Sequence, residues 1–220
     1  MNTISPPANI IAFRELLQSK FPGAHPVRKE RVETWSTGVS CLDAAGLQRG
    51  TVTEIVGTGI SPGVGLLMAA LLQRETAVAE YTAVVDGSDA FDPWSVPVAH
   101  LERLLWVRCQ QTTQAIKAAD LLLRDGNIPL VVLDLQLYAP RDLLRLPSSV
   151  WHRLRMLGEK SGVTTCIFTP SPTISCAATR LTLDQSFTLA DQDRLRSDAL
   201  QALRTRQDGF RAAHDLVRAG

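Results

Sequence analysis

Apolar positions along this chain gather into short continuous runs, and between the runs the spacing becomes helical. The runs are 51–56, 82–85, 104–108, 128–134 and 163–169, and Leu130-Val131-Val132-Leu133 is the most apolar stretch among them. Short runs that are rich in Val, Ile and Thr and apolar at consecutive positions predict strands buried on both faces. The intervening segments 66–74, 112–124 and 150–160 carry apolar residues at the spacing of one helix face. Strand and helix therefore alternate. The expected fold class is α/β, with a mostly parallel central sheet flanked by helices.

The ends read differently. Pro6-Pro7 breaks regular structure in the first residues, after which Ile10, Phe13, Leu16 and Leu17 recur at helical spacing behind Asn9, a residue suited to cap a helix. The stretch 21–32 holds Pro22, Gly23, Pro26 and the charged run Arg28-Lys29-Glu30-Arg31, the composition of an exposed linker. A short helix set apart by such a linker must bury its apolar face on its own core or on a neighbour. Both readings stand, and the second makes Ile10, Phe13, Leu16 and Leu17 a partner-docking face. Towards the other end, 180–189 reads as an edge hairpin and 191–217 as a terminal helix interrupted near Gly209. Residues 191–220 carry six arginines but also five aspartates, the pattern of a solvated face. The expected organisation is 1–34 tail, helix and linker, 35–190 core, and 191–220 C-terminal helical segment.

Composition narrows the function. A chain of 220 residues, 45% of them hydrophobic, can bury one sizeable core. With 23 basic against 22 acidic residues the net charge is +1, so no whole-protein field draws in nucleic acid. Cys41, Cys109, Cys166 and Cys176 are scattered, with no spacing that suits zinc, and Cys109 and Cys166 sit in apolar runs as small hydrophobes. The sequence shows no signal-peptide pattern and no apolar run of membrane-spanning length, which predicts a soluble, cytoplasmic protein. His25, His100, His152 and His214 are dispersed and no nucleophile elbow accompanies them. Asp86, Asp89 and Asp92 share one loop, where turn chemistry and helix capping ahead of Pro93 account for them.

One segment has the setting of a phosphate site. A strand (Thr53-Glu54-Ile55-Val56) enters a loop containing Gly57, Thr58, Gly59, Ser61, Gly63 and Gly65, and a helix follows from Leu66. In a working phosphate loop, backbone N–H groups cradle the phosphates, a lysine neutralises their charge and a hydroxyl holds magnesium. Counted from Gly57, the second glycine, lysine and hydroxyl positions hold Pro62, Gly63 and Val64; with one inserted residue they hold Gly63, Val64 and Gly65. In either register the lysine and the magnesium hydroxyl are absent. The loop is then either a residual anion nest or a glycine-rich strand-to-helix turn. No cofactor is expected.

The order of segments resembles the RecA family. Ser36-Thr37-Gly38-Val39-Ser40-Cys41-Leu42-Asp43 with Gly46-Leu47-Gln48-Arg49-Gly50 resembles that family's entry into its core, and Glu54-Ile55-Val56-Gly57 the start of its phosphate loop. Val85-Asp86-Gly87-Ser88-Asp89-Ala90-Phe91-Asp92-Pro93 looks like the family segment carrying the catalytic glutamate, with Ser88 in the glutamate's place. Leu130-Val131-Val132-Leu133-Asp134 matches the strand that ends in the magnesium-linked aspartate, and Thr165-Cys166-Ile167-Phe168-Thr169-Pro170 lacks the family's Asn-Gln ending. The resemblance covers roughly residues 36–170. Four groups of the hydrolytic machinery are missing and Asp134 alone remains, either as a Walker B-like residue or as an ordinary strand end. Phosphoryl transfer depends on positioning and charge neutralisation, so the resemblance implies a degenerate NTPase that is not an enzyme.

A short RecA homologue with an eroded phosphate loop is similar to the ImuA family of the bacterial translesion-synthesis mutasome. That similarity implies a non-catalytic accessory of DNA repair and damage-induced mutagenesis, associated with the nucleoid. Its partners would be RecA, an ImuB-like polymerase homologue and an error-prone polymerase, with self-association a further option. SulA-like cell-division inhibitors are the nearest confusable family. The same residues also allow a weak DNA-binding module or a residual nucleotide-binding RecA paralogue. The family contacts DNA through loops equivalent to 136–149, which holds Arg141 and Arg145 beside Asp142, and 170–179, which has no charge before Arg180. That footprint predicts weak, salt-sensitive contact with single-stranded DNA. Trp94 and Trp151 are either base-stacking groups or core residues.

Overall fold

Each of the five apolar runs forms a strand. The computed structural model describes residues 33–74 and 80–208, together with Leu16, Ser19 and Lys20. Glu33–Phe210 is one compact unit, and Met1–Val32 with Arg211–Gly220 is another. In the second unit Leu16, Ser19 and Lys20 are helical, the Ser19 hydroxyl donates to the Leu16 carbonyl (2.9 Å), and the Leu16 side chain is exposed. Ile10, Phe13 and Leu17 lie outside the described residues.

In chain order the main unit runs α1 (Ser40–Ala45), β1 (Val52–Gly57), α2 (Val64–Leu72), β2 (Thr82–Asp86), α3 (Val98–Leu101), β3 (Leu104–Arg108), α4 (Thr112–Asp125), β4 (Leu130–Asp134), α5 (Pro140–Leu144), α6 (Ser148–Ser161), β5 (Thr164–Thr169), β6 (Thr179–Leu183), α7 (Arg196–Ala202) and β7 (Arg206–Asp208). The strands form one sheet in the order β3-β2-β4-β5-β1-β6-β7, parallel throughout except for β7. Strands β1, β2, β4 and β5 are buried at every position, which is why their sequences show no polar alternation. Alternate residues still point to opposite faces. Val84, Val132 and Phe168 pack with α1, α2 and Leu203, whereas Val85, Val131, Leu133 and Ile167 pack with α4 and α6 around Trp151.

Two expectations near the C-terminal end are corrected. No hairpin forms over 180–189, because Thr179–Leu183 pairs parallel with β1 and extends the sheet. Of the interrupted helix expected over 191–217, residues 209–217 lie outside the described ones, and the described part holds only a 3-10 turn (Leu189–Asp193) and α7. Its preceding Leu195 is exposed, and after Leu203 the chain straightens into β7, antiparallel to β6. Helical spacing of apolar residues alone does not distinguish a long helix from a short one followed by an edge strand. The loop expected over 136–149 also contains α5.

Strand β1, between β5 and β6, carries a buried acid. Glu54 is fully buried, and its carboxylate accepts from the Thr169 hydroxyl (3.0 Å), from the Thr173 and Ile174 amides (2.7 and 3.1 Å) and from Arg180 Nε (2.6 Å). Arg180 also donates to the Ile174 carbonyl (2.9 Å). A carboxylate removed from water is stable only when its oxygens are paired and hydrogen-bonded, and here both are. The network joins β1, β6 and the crossover between β5 and β6. Glu54→Ala is expected to cost about 3 kcal/mol or more of folding free energy by urea denaturation, because Arg180 loses its acid in a buried site. Glu159→Ala, which removes the exposed pair with Arg155 (2.9 Å), is expected to cost under about 1 kcal/mol.

Candidate functional site

The parallel strands end together at one edge, and Gly57, Asp86, Asp134 and Thr169 are the last residues of β1, β2, β4 and β5. In doubly wound sheets this edge is where ligands bind. The loop 58–63 leaves β1 here and leads into α2. Gly59 and Gly63 take left-handed φ of 83° and 88°, and Ser61 does so at 50°, a conformation that a non-glycine residue holds only at a cost.

The protein's own side chains fill the interior of that loop. A methyl group on Gly57 would lie 2.3 Å from Val64 Cγ2, 2.9 Å from Gln136 Nε2 and 3.0 Å from Pro62 Cγ. One on Gly63 would meet the Phe187 ring at 2.7 Å and Leu203 Cδ2 at 2.8 Å. Four hydrogen bonds tie the loop to the rest of the fold. The Thr58 amide and hydroxyl both donate to the Leu183 carbonyl (2.9 and 3.1 Å), the Phe187 amide donates to the Ser61 carbonyl (3.0 Å), and Gln136 Nε2 donates to the Gly57 carbonyl (2.8 Å). Gly65 stands in the first turn of α2, exposed, and a methyl group there would meet nothing within 4 Å. Val64, which stands at the hydroxyl or the lysine position in the two registers, is buried against Gly57.

Asp86 and Asp134 are register partners on adjacent strands, and both are buried. Asp86 is saturated: its oxygens accept from the Ala90 and Phe91 amides (3.0 Å each) and from Trp106 Nε1 (3.2 Å). It organises the following loop, where Asp89 pairs with Arg108 (2.7 Å) and Asp92 caps the Trp94 amide (3.0 Å). The acidic cluster thus performs turn and capping work. Asp134 accepts from the Gln136 amide (2.9 Å), and burial, aided by the negative charge of Asp86, pushes its carboxyl up to about 6. Among the described residues no group of three or more metal-ligating side chains gathers here or elsewhere.

The candidate DNA-contacting arginines belong to the segment after β4. Arg141 is an exposed residue of α5, and Arg145, at the end of that helix, pairs loosely with Asp142 (3.6 Å). The stretch 170–179 is anchored through Glu54, with Ile174 and Ala177 buried. Trp151 is a core residue, whereas Trp94 is 95% exposed. Gln136, Phe187 and Leu203 escaped the sequence reading. Gln136 follows the strand-end aspartate closely, which was the available signal; Phe187 and Leu203 reach the loop only through the path of β6 and α7.

No protein-family model matches this chain. Over 112 residues, 48% of its length, it is 32% identical to Protein RecA of Streptomyces venezuelae, and the match covers 29% of that protein. It is likewise 32% identical over 111 residues to Protein RecA of Acinetobacter baylyi, covering 32% of it. The chain thus spans less than a third of the length of the curated relatives it matches. This similarity accords with a RecA-like core for the seven-stranded sheet with helices on both faces. Among the described residues no helix is long and apolar enough to cross a membrane.

Two measurements test this site. Gly57→Ala is expected to destabilise the fold by about 1–3 kcal/mol through overpacking, whereas Gly65→Ala is expected to leave it unchanged or raise stability by up to about 1 kcal/mol. Asp134 has a folded value raised above its ordinary one, so its ionised form opposes folding at neutral pH and stability grows as pH falls through about 6. Asp134→Asn is accordingly expected to raise the melting temperature by several degrees at pH 7.5. The gain should shrink towards pH 5, as the wild-type carboxyl takes up its proton.

Proposed function

We propose that this protein is a non-catalytic RecA-like accessory of DNA repair and damage-induced mutagenesis. It acts as an adaptor for RecA, for an ImuB-like polymerase homologue and for an error-prone polymerase in translesion synthesis. One observation carries the reading: Val64, Pro62 and Gln136 pack on Gly57, and Phe187 and Leu203 on Gly63, where a working loop would hold phosphate. A phosphate at that place would have to displace apolar side chains and would find neither lysine nor magnesium hydroxyl. The rest of the RecA-like core is intact, with a full sheet and both hydrophobic layers. A fold kept whole without its phosphate chemistry retains surfaces for other proteins. Strand β3 is one such surface: among the described residues it is an edge strand that pairs with β2 alone, with Leu105 and Arg108 exposed. Sheet edges of this kind accept an added strand.

The similarity to RecA proteins supports the assignment to DNA repair. The absence of those groups at the lysine, hydroxyl and glutamate positions supports the non-catalytic part. Calorimetric titration of ATP–Mg into the full chain is expected to give no heat at tens of micromolar protein, a range where binding of ordinary nucleotide affinity is detected. In parallel, the immobilised protein is expected to retain purified RecA or the ImuB-like protein. ATP turnover that disappears in Asp134→Ala would overturn the reading, as would failure to retain either protein.

A further inference from the structure

The face of the sheet opposite the phosphate-like loop carries a groove between α4 and α6. Its volume is about 280 Å³, and its floor is Ile116 of α4 with Leu146, Val150 and Leu154 at and within the start of α6. Ile116, Leu146 and Val150 are only partly buried, so the groove is open along its length. Lys117 and Arg153 stand on its rim, both exposed. Asp120, the acid lining the groove, is already engaged by Arg153 (3.3 Å, Nη2 to Oδ2) and by Arg124 (2.8 Å). Among the described residues no ion pair involves Lys117. The rim therefore carries two cations, Lys117 and Arg153, against one anion that Arg153 and Arg124 already share. Leu121 lies one helical turn beyond Lys117 on the same stripe of α4 and is 57% exposed, so the apolar line continues past the rim.

An apolar floor between cationic edges selects for its opposite. We infer that the α4–α6 groove binds an acidic amphipathic segment of a partner protein, with apolar side chains on the floor and carboxylates against Lys117 and Arg153. Helix-in-groove recognition has this form, and the groove can hold a few apolar side chains rather than a folded domain. Charge complementarity excludes a second copy of the same face, because two cationic rims would meet across a symmetric contact. Nucleic acid fits less well, since the floor is apolar and Asp120 sits beside both cations. The inference supplies partner chemistry for the adaptor reading and rests on that reading only in expecting a partner.

The test uses a fluorescein-labelled designed peptide, helix-forming, with Leu at i, i+3, i+4 and i+7 and Glu on both flanks. Its anisotropy on titration with the full chain is expected to report micromolar binding that weakens as salt rises. Lys117→Glu, an exposed change that leaves the core untouched, is expected to weaken binding about tenfold. Val150→Gln should weaken it as well, while Lys160→Glu at the far end of α6 should not. A peptide with Lys in place of Glu is expected not to bind. Equal binding of the two peptides, or an acidic peptide indifferent to both groove variants, sinks the proposal. So does competition by single-stranded oligonucleotide that is lost in Lys117→Glu, or self-association that the same variant abolishes in sedimentation. Retention of RecA or the ImuB-like protein is scored separately. If the peptide fails and retention persists, the groove assignment falls and the adaptor reading stands; if the peptide binds and retention fails, the reverse holds.

Discussion

The ion pair between Glu54 and Arg180 sets the geometry on which the rest of the sheet's C-terminal edge depends. Burying an acid at the centre of a sheet is costly unless every oxygen is satisfied. This one is satisfied only if Thr169 ends β5, residues 173–174 turn back over the strand, and Arg180 enters beside it on β6. Those demands place β6 parallel to β1 with Leu183 alongside Gly57. Leu183 can then accept the Thr58 amide, and the chain leaving β6 passes over the loop so that Phe187 reaches Gly63. A single buried carboxylate thus determines both where the crossover runs and what covers the phosphate-like loop.

Much of the fold was legible because parallel strands covered on both faces cannot hide polar residues, so their sequences advertise them. The five runs became strands with ends shifted by two residues at most, and the same holds for the helices that became α2, α4 and α6. What escaped lies where tertiary contacts decide. Thr179–Leu183 holds an arginine in mid-strand, a sign of exposure in isolation, yet Arg180 is held inward by an acid 126 residues earlier in the chain. Strand β7 is a short polar edge with no pattern to read. In the candidate site, the missing lysine and hydroxyl were visible in the string of residues, as was Asp134. The packing of Phe187 and Leu203 on Gly63 was not, since nothing local links three residues so far apart.

Two features of the edge belong together. Asp134 keeps its place at the end of β4 but is buried without a cation, so its ionised form is a net liability at neutral pH. Asp86 beside it escapes the same cost by accepting two amides and an indole N–H. The adjacent carboxylates are therefore unequal: one organises a loop and the other is tolerated. Gln136 joins them to the loop after β1, because its amide N–H caps Asp134 while its side chain donates to the Gly57 carbonyl.

Removing a lysine from a phosphate cradle would ordinarily leave backbone N–H groups pointing into an empty concavity, an arrangement that costs free energy when buried. Here apolar side chains pack against two of the loop's glycines. Val64 and Pro62 supply apolar contact at Gly57, Phe187 and Leu203 do so at Gly63, and Leu183 takes the Thr58 amide. Returning a lysine at Val64 would remove a buried apolar side chain from Gly57 while leaving Phe187 and Leu203 in place beside Gly63. Under the adaptor reading, these contacts hold the loop in the place where a phosphate would hold it elsewhere, and the outer surfaces, the β3 edge and the α4–α6 groove, are what the core offers to other proteins.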